Sequence, residues 1–322
     1  MAFFGTPALA TPTLAALIDG PHEVVCVVSQ PDRARGRGRK TSPSPVSQLA
    51  QERGVPVLAP EKINDAIKEL RGFSPDIGVV VAYGQFIPKK VRELPSCGYL
   101  INAHASLLPK LRGAAPIARA IFTGETQTGV SVMRVEREMD GGPVALVREL
   151  EIGAEENTAE LEVRVGELAA VAIAQAVELI ANDRIEWNEQ DASLATEAAK
   201  LERSEAQLDW LEPATQLALR IRAFAPRPGA QTLLDGEALR ILGARVSSDP
   251  CDRAPGSVQL NVEPGTEPLR IATSEGWLVP TRLQRAGGKP LATADFLRGR
   301  PIADGTQLGA SEDAGSTTVE ES

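Results

Sequence analysis

Three runs in the first third of the chain are apolar at nearly every residue, and they limit the fold more than any other feature. They are "VVCVVSQ" (24–30), "DIGVVVAY" (76–83) and "YLINAH" (99–104). A strand buried on one face alternates apolar with polar; a strand covered on both faces does not. Helical spacing separates the runs, as at 45–53, where Pro45 stands near the start of the segment. The alternation predicts βαβ units on a mainly parallel, Rossmann-like sheet of the α/β class. An Ala/Val/Leu-rich helix from Thr158, with Leu161 three residues on, to about Ala181 closes this domain.

At 322 residues a second core is expected, because single cores stop growing near about 250–300 residues. A polar stretch from Asp183 to Glu202 reads as a linker. Beyond Ser204 the pattern changes to a helix at 213–224, a Pro-rich turn "APRPGA" (225–230) and strands such as "ALRILGARV" and "GSVQLNV". Strands spaced by turn signals predict a small β-barrel or sandwich, of which we take the OB-like barrel. The expected bounds are an α/β domain over 1–184, a linker over 185–203, the β domain over 204–305 and an acidic, disordered tail over 306–322.

Net charge is −9, which by itself disfavours a polyanionic partner. Its distribution says otherwise. Residues 309–322 carry four acids and no base, and without them the net charge is −5. "RARGRGRK" (33–40) holds five bases and no acid, and 269–300 holds six bases against Glu275 and Asp295. Local patches decide polyanion binding, since screening removes distant charges within about 10 Å. The three cysteines form no CxxC pair, which suits a reducing compartment and gives no metal spacing. No apolar run reaches the roughly 18 residues that span a bilayer, and the start lacks a signal pattern.

The segment "NAHASLLPKLRGAAP" (102–116) holds one of only two histidines. Asn102 and His104 fall at the carboxyl end of a predicted strand, where open α/β sheets bind ligands. Asn offers an amide donor to a developing oxyanion, and His moves protons near neutral pH. The same pair could simply cap the strand end. "MDGGP" (139–143) puts Asp140 in a Gly-Gly turn after another apolar run, placed either to support an imidazole or to serve as a turn residue. "FFGTP" (3–7) lacks a GxGxxG fingerprint, and "GRGRKTS" (36–42) does not meet the phosphate-loop pattern. Cys26 and Cys97 read as core residues, His22 as a surface turn.

Taken together, "FFGTP", "SQPDRARGRGRKTSPSPV" (29–46), "VVVAYGQFIP" (79–88), "NAHASLLPKLRGAAPI" (102–117), "MDGGPV" (139–144) and "IRAFAPRPGA" (221–230) resemble the methionyl-tRNA formyltransferase family. More broadly they resemble the folate-dependent formyltransferases, over nearly the whole chain. The resemblance implies transfer of a formyl group from 10-formyltetrahydrofolate to the α-amine of methionine on initiator tRNA, without a metal. It implies a catalytic trio of Asn102, His104 and Asp140. It also implies a folate site at Tyr83, Gly84 and Gln85 and at Ser106, Leu107, Leu108 and Pro109. Arg33, Arg35, Arg37, Arg39 and Lys40 are then the residues expected to meet tRNA phosphates. The implied protein is a cytoplasmic monomer with no membrane partner, or an organellar one in a eukaryote.

Three departures stand out. Gly141 replaces the family's Thr or Ala, Ala225 and Arg227 replace an Asn and a Trp, and the N-terminus starts about two residues late. The rival within the superfamily is a formyltransferase for a small amine, an amino sugar or glycinamide ribonucleotide. The Arg-rich loop and the C-terminal domain disfavour it, since neither is needed for a small acceptor. A non-catalytic tRNA-binding scaffold is the third reading, disfavoured by the intact trio.

Overall fold

The structure, a computed structural model, describes residues 1–35, 40–261 and 268–309. Arg37 and Arg39 of the expected tRNA loop, and residues 310–322 of the expected tail, lie outside these. The chain forms two compact units. The first comprises Met1–Ile117, Gln127–Ile152 and Leu161–Lys200; the second comprises Ala118–Thr126, Gly153–Glu160 and Leu201 onward.

In order along the chain the first elements are β1 (Ala2–Gly5), α1 (Thr11–Ile18), β2 (Cys26–Val28), β3 (Arg33–Arg35), β4 (Lys40–Ser42), α2 (Pro45–Glu52), β5 (Val57–Leu58), α3 (Ile67–Phe73), β6 (Gly78–Val81), α4 (Lys89–Arg92) and β7 (Leu100–His104). After them come α5 (Pro116–Phe122), β8 (Gln127–Arg134), β9 (Val144–Glu151) and α6 (Thr158–Ala181). Seven strands form one sheet in the order β5-β2-β1-β6-β7-β8-β9. Pairing is parallel from β5 to β7, and β8 and β9 add antiparallel at one edge.

The reason for the apolar runs is visible at β1, where Ala2, Phe3 and Phe4 are all buried. Phe4 joins Val28, Val80, Tyr83 and Leu100 in one cluster. Burying side chains of this size stabilises by about 1.5–3 kcal/mol each. β1 lies between β2 and β6, so the chain builds first to one side of β1 and then to the other. The carboxyl ends of β1 and β6 therefore flank the switch point at which such sheets bind ligands.

Helix starts follow local chemistry. Ser44 accepts from Ser47 N at 3.0 Å and caps α2, with Pro45 in the first turn. The bounds of α6 match the sequence expectation, but its cap is one residue earlier than the Thr158/Leu161 pair. Asn157 Oδ1 accepts from Ala159 N and Glu160 N, and Glu160 Oε2 accepts from Asn157 N, a reciprocal pair. The ends of the basic loop pair as a short ribbon, Arg33 opposite Ser42 and Arg35 opposite Lys40.

Of residues 185–203, expected as a linker, those up to Lys200 belong to the first unit and Leu201–Arg203 to the second. Asn188 exchanges two backbone hydrogen bonds with Val144, and Arg112 does the same with Thr196 and Ala198. The Arg134 guanidinium lies 4.4 Å from the Tyr99 ring and 4.6 Å from the Trp187 ring, which packs the start of this segment.

The second unit holds α7 (Ala214–Phe224), β10 (Ala230–Leu234), β11 (Glu237–Ser247), β12 (Val258–Leu260), β13 (Leu269–Ala272), β14 (Trp277–Arg285), β15 (Leu291–Ala292) and α8 (Thr293–Gly299). The strands are antiparallel in the order β10-β11-β14-β13-β12, with β15 also on β14. Leu217 and Ile221 of α7, Ile241 of β11, Ile271 of β13, Leu278 of β14 and Phe296 of α8 share one buried cluster. This is an antiparallel sheet domain, as the spaced strands imply. β11 is longer than expected at 11 residues, and a bulge at Gly243 interrupts its register with β14. Residues 306–309, assigned to the tail by composition, belong to this unit instead: Leu308 is buried, and Gly309 N donates to Leu233 O at 2.9 Å.

Candidate active site

β7 sits between β6 and β8, and its last residue is His104. Asn102 and His104 are two residues apart on a strand, so their side chains leave the same face. Asn102 is half-buried and His104 buried. His104 Nε2 donates to Leu111 O at 2.8 Å, because a carbonyl can only accept. That leaves Nδ1 facing Asp140 Oδ2 at 3.5 Å. The structure thus brings His104 and Asp140 together, and keeps Asn102 one pleat away on their strand.

Asp140 has φ 52°, in the left-handed region that Asp tolerates better than most residues. Its Oδ2 also accepts from Gly113 N at 2.8 Å. Gly113 has φ +125°, and a Cβ there would stand 2.8 Å from Ala198 O. Only glycine fits both the backbone conformation and that contact, which explains the glycine in "RGAAP". Leu111, with φ 57°, is held by Thr196 Oγ1, which accepts from its N–H at 2.9 Å.

The "SLLP" segment turns back on itself. Ser106 Oγ donates to Lys110 O at 2.6 Å, so this buried hydroxyl shapes the loop. Ser131, opposite His104 in the β7–β8 register, donates to Ser106 O at 2.8 Å and accepts from Leu108 N at 3.0 Å. Leu107, Leu108 and Pro109 are half-buried, and the Leu108–Pro109 bond is cis. Gly129 on β8 makes room for the loop, since a Cβ there would meet Leu107 at 2.5 Å and Arg148 O at 2.1 Å.

Tyr83, Gly84 and Gln85 follow β6 at the switch point. Thr6 of "FFGTP" donates to Tyr83 O at 2.9 Å, tying the ends of β1 and β6 together. The Tyr83 ring is buried against Phe4, and burial pushes its hydroxyl up to about 12. Gly84 is exposed with φ +83°. The Gln85 amide is spent on the neighbouring loop, accepting from Ile63 N at 3.0 Å and donating to Pro60 O at 3.2 Å.

Sequence reasoning missed Ser131, Gln190 and Thr196. Gln190 Nε2 donates to Asp140 O at 2.8 Å and Gly142 O at 2.7 Å, and Gln190 Oε1 accepts from Arg112. Nothing local marks them: Ser131 sits in an ordinary apolar strand, and the other two in a polar stretch that reads as linker.

In the second unit, three of the six bases at 269–300 already have acids. Arg270 pairs with Asp249, Arg298 with Asp295, and Arg300 with Asp235 and Glu237. The Glu237 hydrogen bond raises the Arg300 guanidinium further above its ordinary value. Arg282, Arg285 and Lys289 have no acid partner among the described residues. No cluster of three His, Cys, Asp or Glu that could hold a metal occurs among the described residues, and no helix there is long and apolar enough to cross a membrane.

Comparison with known proteins identifies the family. The formyl transferase family matches residues 1–177, and the formyl transferase C-terminal domain matches 200–301. A methionyl-tRNA formyltransferase of Pseudomonas fluorescens is 44% identical over 97% of this chain and 97% of its own. That of Methylococcus capsulatus is 43% identical over 95% of this chain and 98% of its own. Among solved structures, an Aquifex aeolicus HypX variant overlays with a TM-score of 0.65 at 18% identity, covering 94% of this chain and 48% of that one. WlaRD, a sugar 3N-formyl transferase, gives 0.64 at 14% identity over 89% of this chain and 98% of that one; both likenesses show the fold alone. Matched almost end to end by relatives of a single name, and by both domains of that family in their order, the chain belongs to the methionyl-tRNA formyltransferase family.

Proposed function

We propose that the chain moves the formyl group of 10-formyltetrahydrofolate to the α-amino group of methionine esterified to initiator tRNA, supporting translation initiation. The observation that carries the chemistry is the close approach of Asp140 Oδ2 to His104 Nδ1, 3.5 Å apart at the end of the strand that also bears Asn102. The donor supplies an activated formyl carbon. The α-amine attacks it, and negative charge builds on the formyl oxygen. The amine nitrogen then loses a proton, while N10 of the donor gains one as its bond to that carbon breaks. Asn102, through its amide, and His104, through Nε2–H, are the donors that meet the oxyanion. In the structure the Nε2–H has a neutral acceptor, the Leu111 carbonyl; a charged oxygen is the stronger acceptor. Asp140 sets the rotation of the ring from the Nδ1 side.

The turn at Tyr83, Gly84 and Gln85 and the loop from Ser106 to Pro109 are read as the folate site. Their support is position, beside the switch point and beside β7. The Tyr83 ring, the Ser106 hydroxyl and the Gln85 amide have internal roles, so in this reading they shape the site, and main-chain groups and the half-buried Leu107, Leu108 and Pro109 meet the ligand. Arg33, Arg35, Arg37, Arg39 and Lys40 are read as phosphate contacts, with residues 204–305 as a tRNA-binding domain after a catalytic domain over 1–184 and a segment over 185–203. The reading is completed by a cytoplasmic monomer.

The small-amine alternative draws on structures such as WlaRD at 14% identity, against 44% for the tRNA-directed relative. Formylation assays with charged initiator tRNA, charged elongator tRNA, an amino-sugar nucleotide and glycinamide ribonucleotide test the reading. Product from initiator tRNA in clear excess over the others is expected; product from a small amine alone would overturn it.

A further inference from the structure

We propose that Gln190 is a positioning residue for the Asp140–His104 pair, acting through the donor end of its amide. The proposal rests on the reading of Asp140 given above. A left-handed backbone such as that of Asp140, at φ 52°, costs free energy and persists only where its surroundings hold it. Gln190 Nε2 reaches both sides of the turn, donating to the carbonyls of Asp140 and Gly142 at 2.8 and 2.7 Å, and so spends both amide hydrogens there. Its Oε1 accepts from Arg112 Nε at 3.1 Å and Nη2 at 2.8 Å. A guanidinium only donates, so this contact fixes which end of the amide faces the turn. Arg112 Nη1 donates to Glu138 Oε1 at 2.7 Å, two residues before Asp140. The residue after Arg112 is Gly113, whose N–H grips the Asp140 carboxylate. One amide therefore joins the turn that presents the carboxylate to the loop that receives it.

The chemistry separates a donor role from a mere partner for Arg112. Gln190→Glu keeps an acceptor for Arg112 and adds a charge to pair with it, but has no hydrogen for either carbonyl. Gln190→Ala removes both contacts. Each is made in the full chain and followed by steady-state formylation, thermal unfolding and NMR of ring-labelled histidine. With only two histidines in the chain, a His22→Gln variant assigns the His104 signals.

Both variants are expected to lower kcat by about 10- to 100-fold, as a group displaced by about 1 Å does, with the KM for the folate donor held within about twofold. The His104 signals should move while those of His22 stay. Combined with Asp140→Asn, Gln190→Glu should add no further loss of kcat, because both act on one pair. Full kcat with unmoved His104 signals in Gln190→Glu, or additive losses in the double variant, would overturn the proposal. Full kcat in Asp140→Asn alone would refute the reading of Asp140 itself; the His104 signals then still decide whether Gln190 holds the pair.

Discussion

Gly113 N donates to Asp140 Oδ2 at 2.8 Å, so the backbone of the "RGAAP" loop grips the same carboxylate oxygen that faces His104 Nδ1 at 3.5 Å. The pairing of imidazole and acid is thus held by a third element. Removing His104 is expected to strike turnover more than binding: His104→Ala should lower single-turnover formylation by about 10²- to 10³-fold, the range for a lost oxyanion donor. Asn102→Ala should cost about 10²- to 10³-fold if its amide meets the oxyanion. Rapid-quench kinetics at saturating folate checks both, and an effect confined to KM would move Asn102 from the chemistry to binding.

Gly113→Ala tests the grip itself. The φ of +125° and the approach to Ala198 O at 2.8 Å leave no room for a Cβ, so the loop must shift. A loss of about 1–3 kcal/mol is expected from such strain. Urea unfolding gives the stability, and activity should fall with it because Asp140 loses its backbone donor.

In the second unit, Arg119 donates to both carboxylate oxygens of Glu205, at 2.7 and 2.9 Å. These hydrogen bonds hold the Glu205 carboxyl below its ordinary value. Its folded-state value is therefore lower than its unfolded one. The pair's contribution is fully present above the unfolded value of about 4.3 and is lost as pH falls through the folded one. The stability gap between the unchanged chain and Glu205→Gln, measured by urea unfolding, should be flat from neutral pH to about 5 and close below about 4. A gap that widens on acidification would contradict the sign.

Three bases in β14 and the turn after it, Arg282, Arg285 and Lys289, lack the acid partners that Arg270, Arg298 and Arg300 have among the described residues. Replacing all three by Ala should lower the slope of log tRNA affinity against log salt by about 2 to 3, since each phosphate contact releases roughly 0.7 to 0.9 of a counterion. Replacing Arg35, Arg37 and Arg39 by Ala should raise the KM for tRNA and spare that for folate. Filter binding across salt concentrations and two-substrate kinetics check these; an unchanged slope would leave the three bases as solvated surface.

The sequence by itself determined the parts of this protein that repeat locally. Runs apolar at every residue require a sheet covered on both faces, and the parallel order from β5 to β7 follows. An Asn-x-His at the end of such a run lands at the sheet's carboxyl edge whatever the loops do, so the position of Asn102 and His104 was legible before any coordinate. The tertiary structure decided how that edge is held. Gln190 meets Arg112 across 78 residues of chain, and Leu111 meets Thr196 across 85. Such hydrogen bonds leave no periodic trace: a Gln or Thr that fixes a turn has the same local context as one in a solvated linker. The cap of α6 shows the same limit at short range, where Thr158 fits the start pattern but Asn157 and Glu160 make the bonds. Spacing encodes which face of an element is buried; which polar atom closes on which is set only when distant segments have packed.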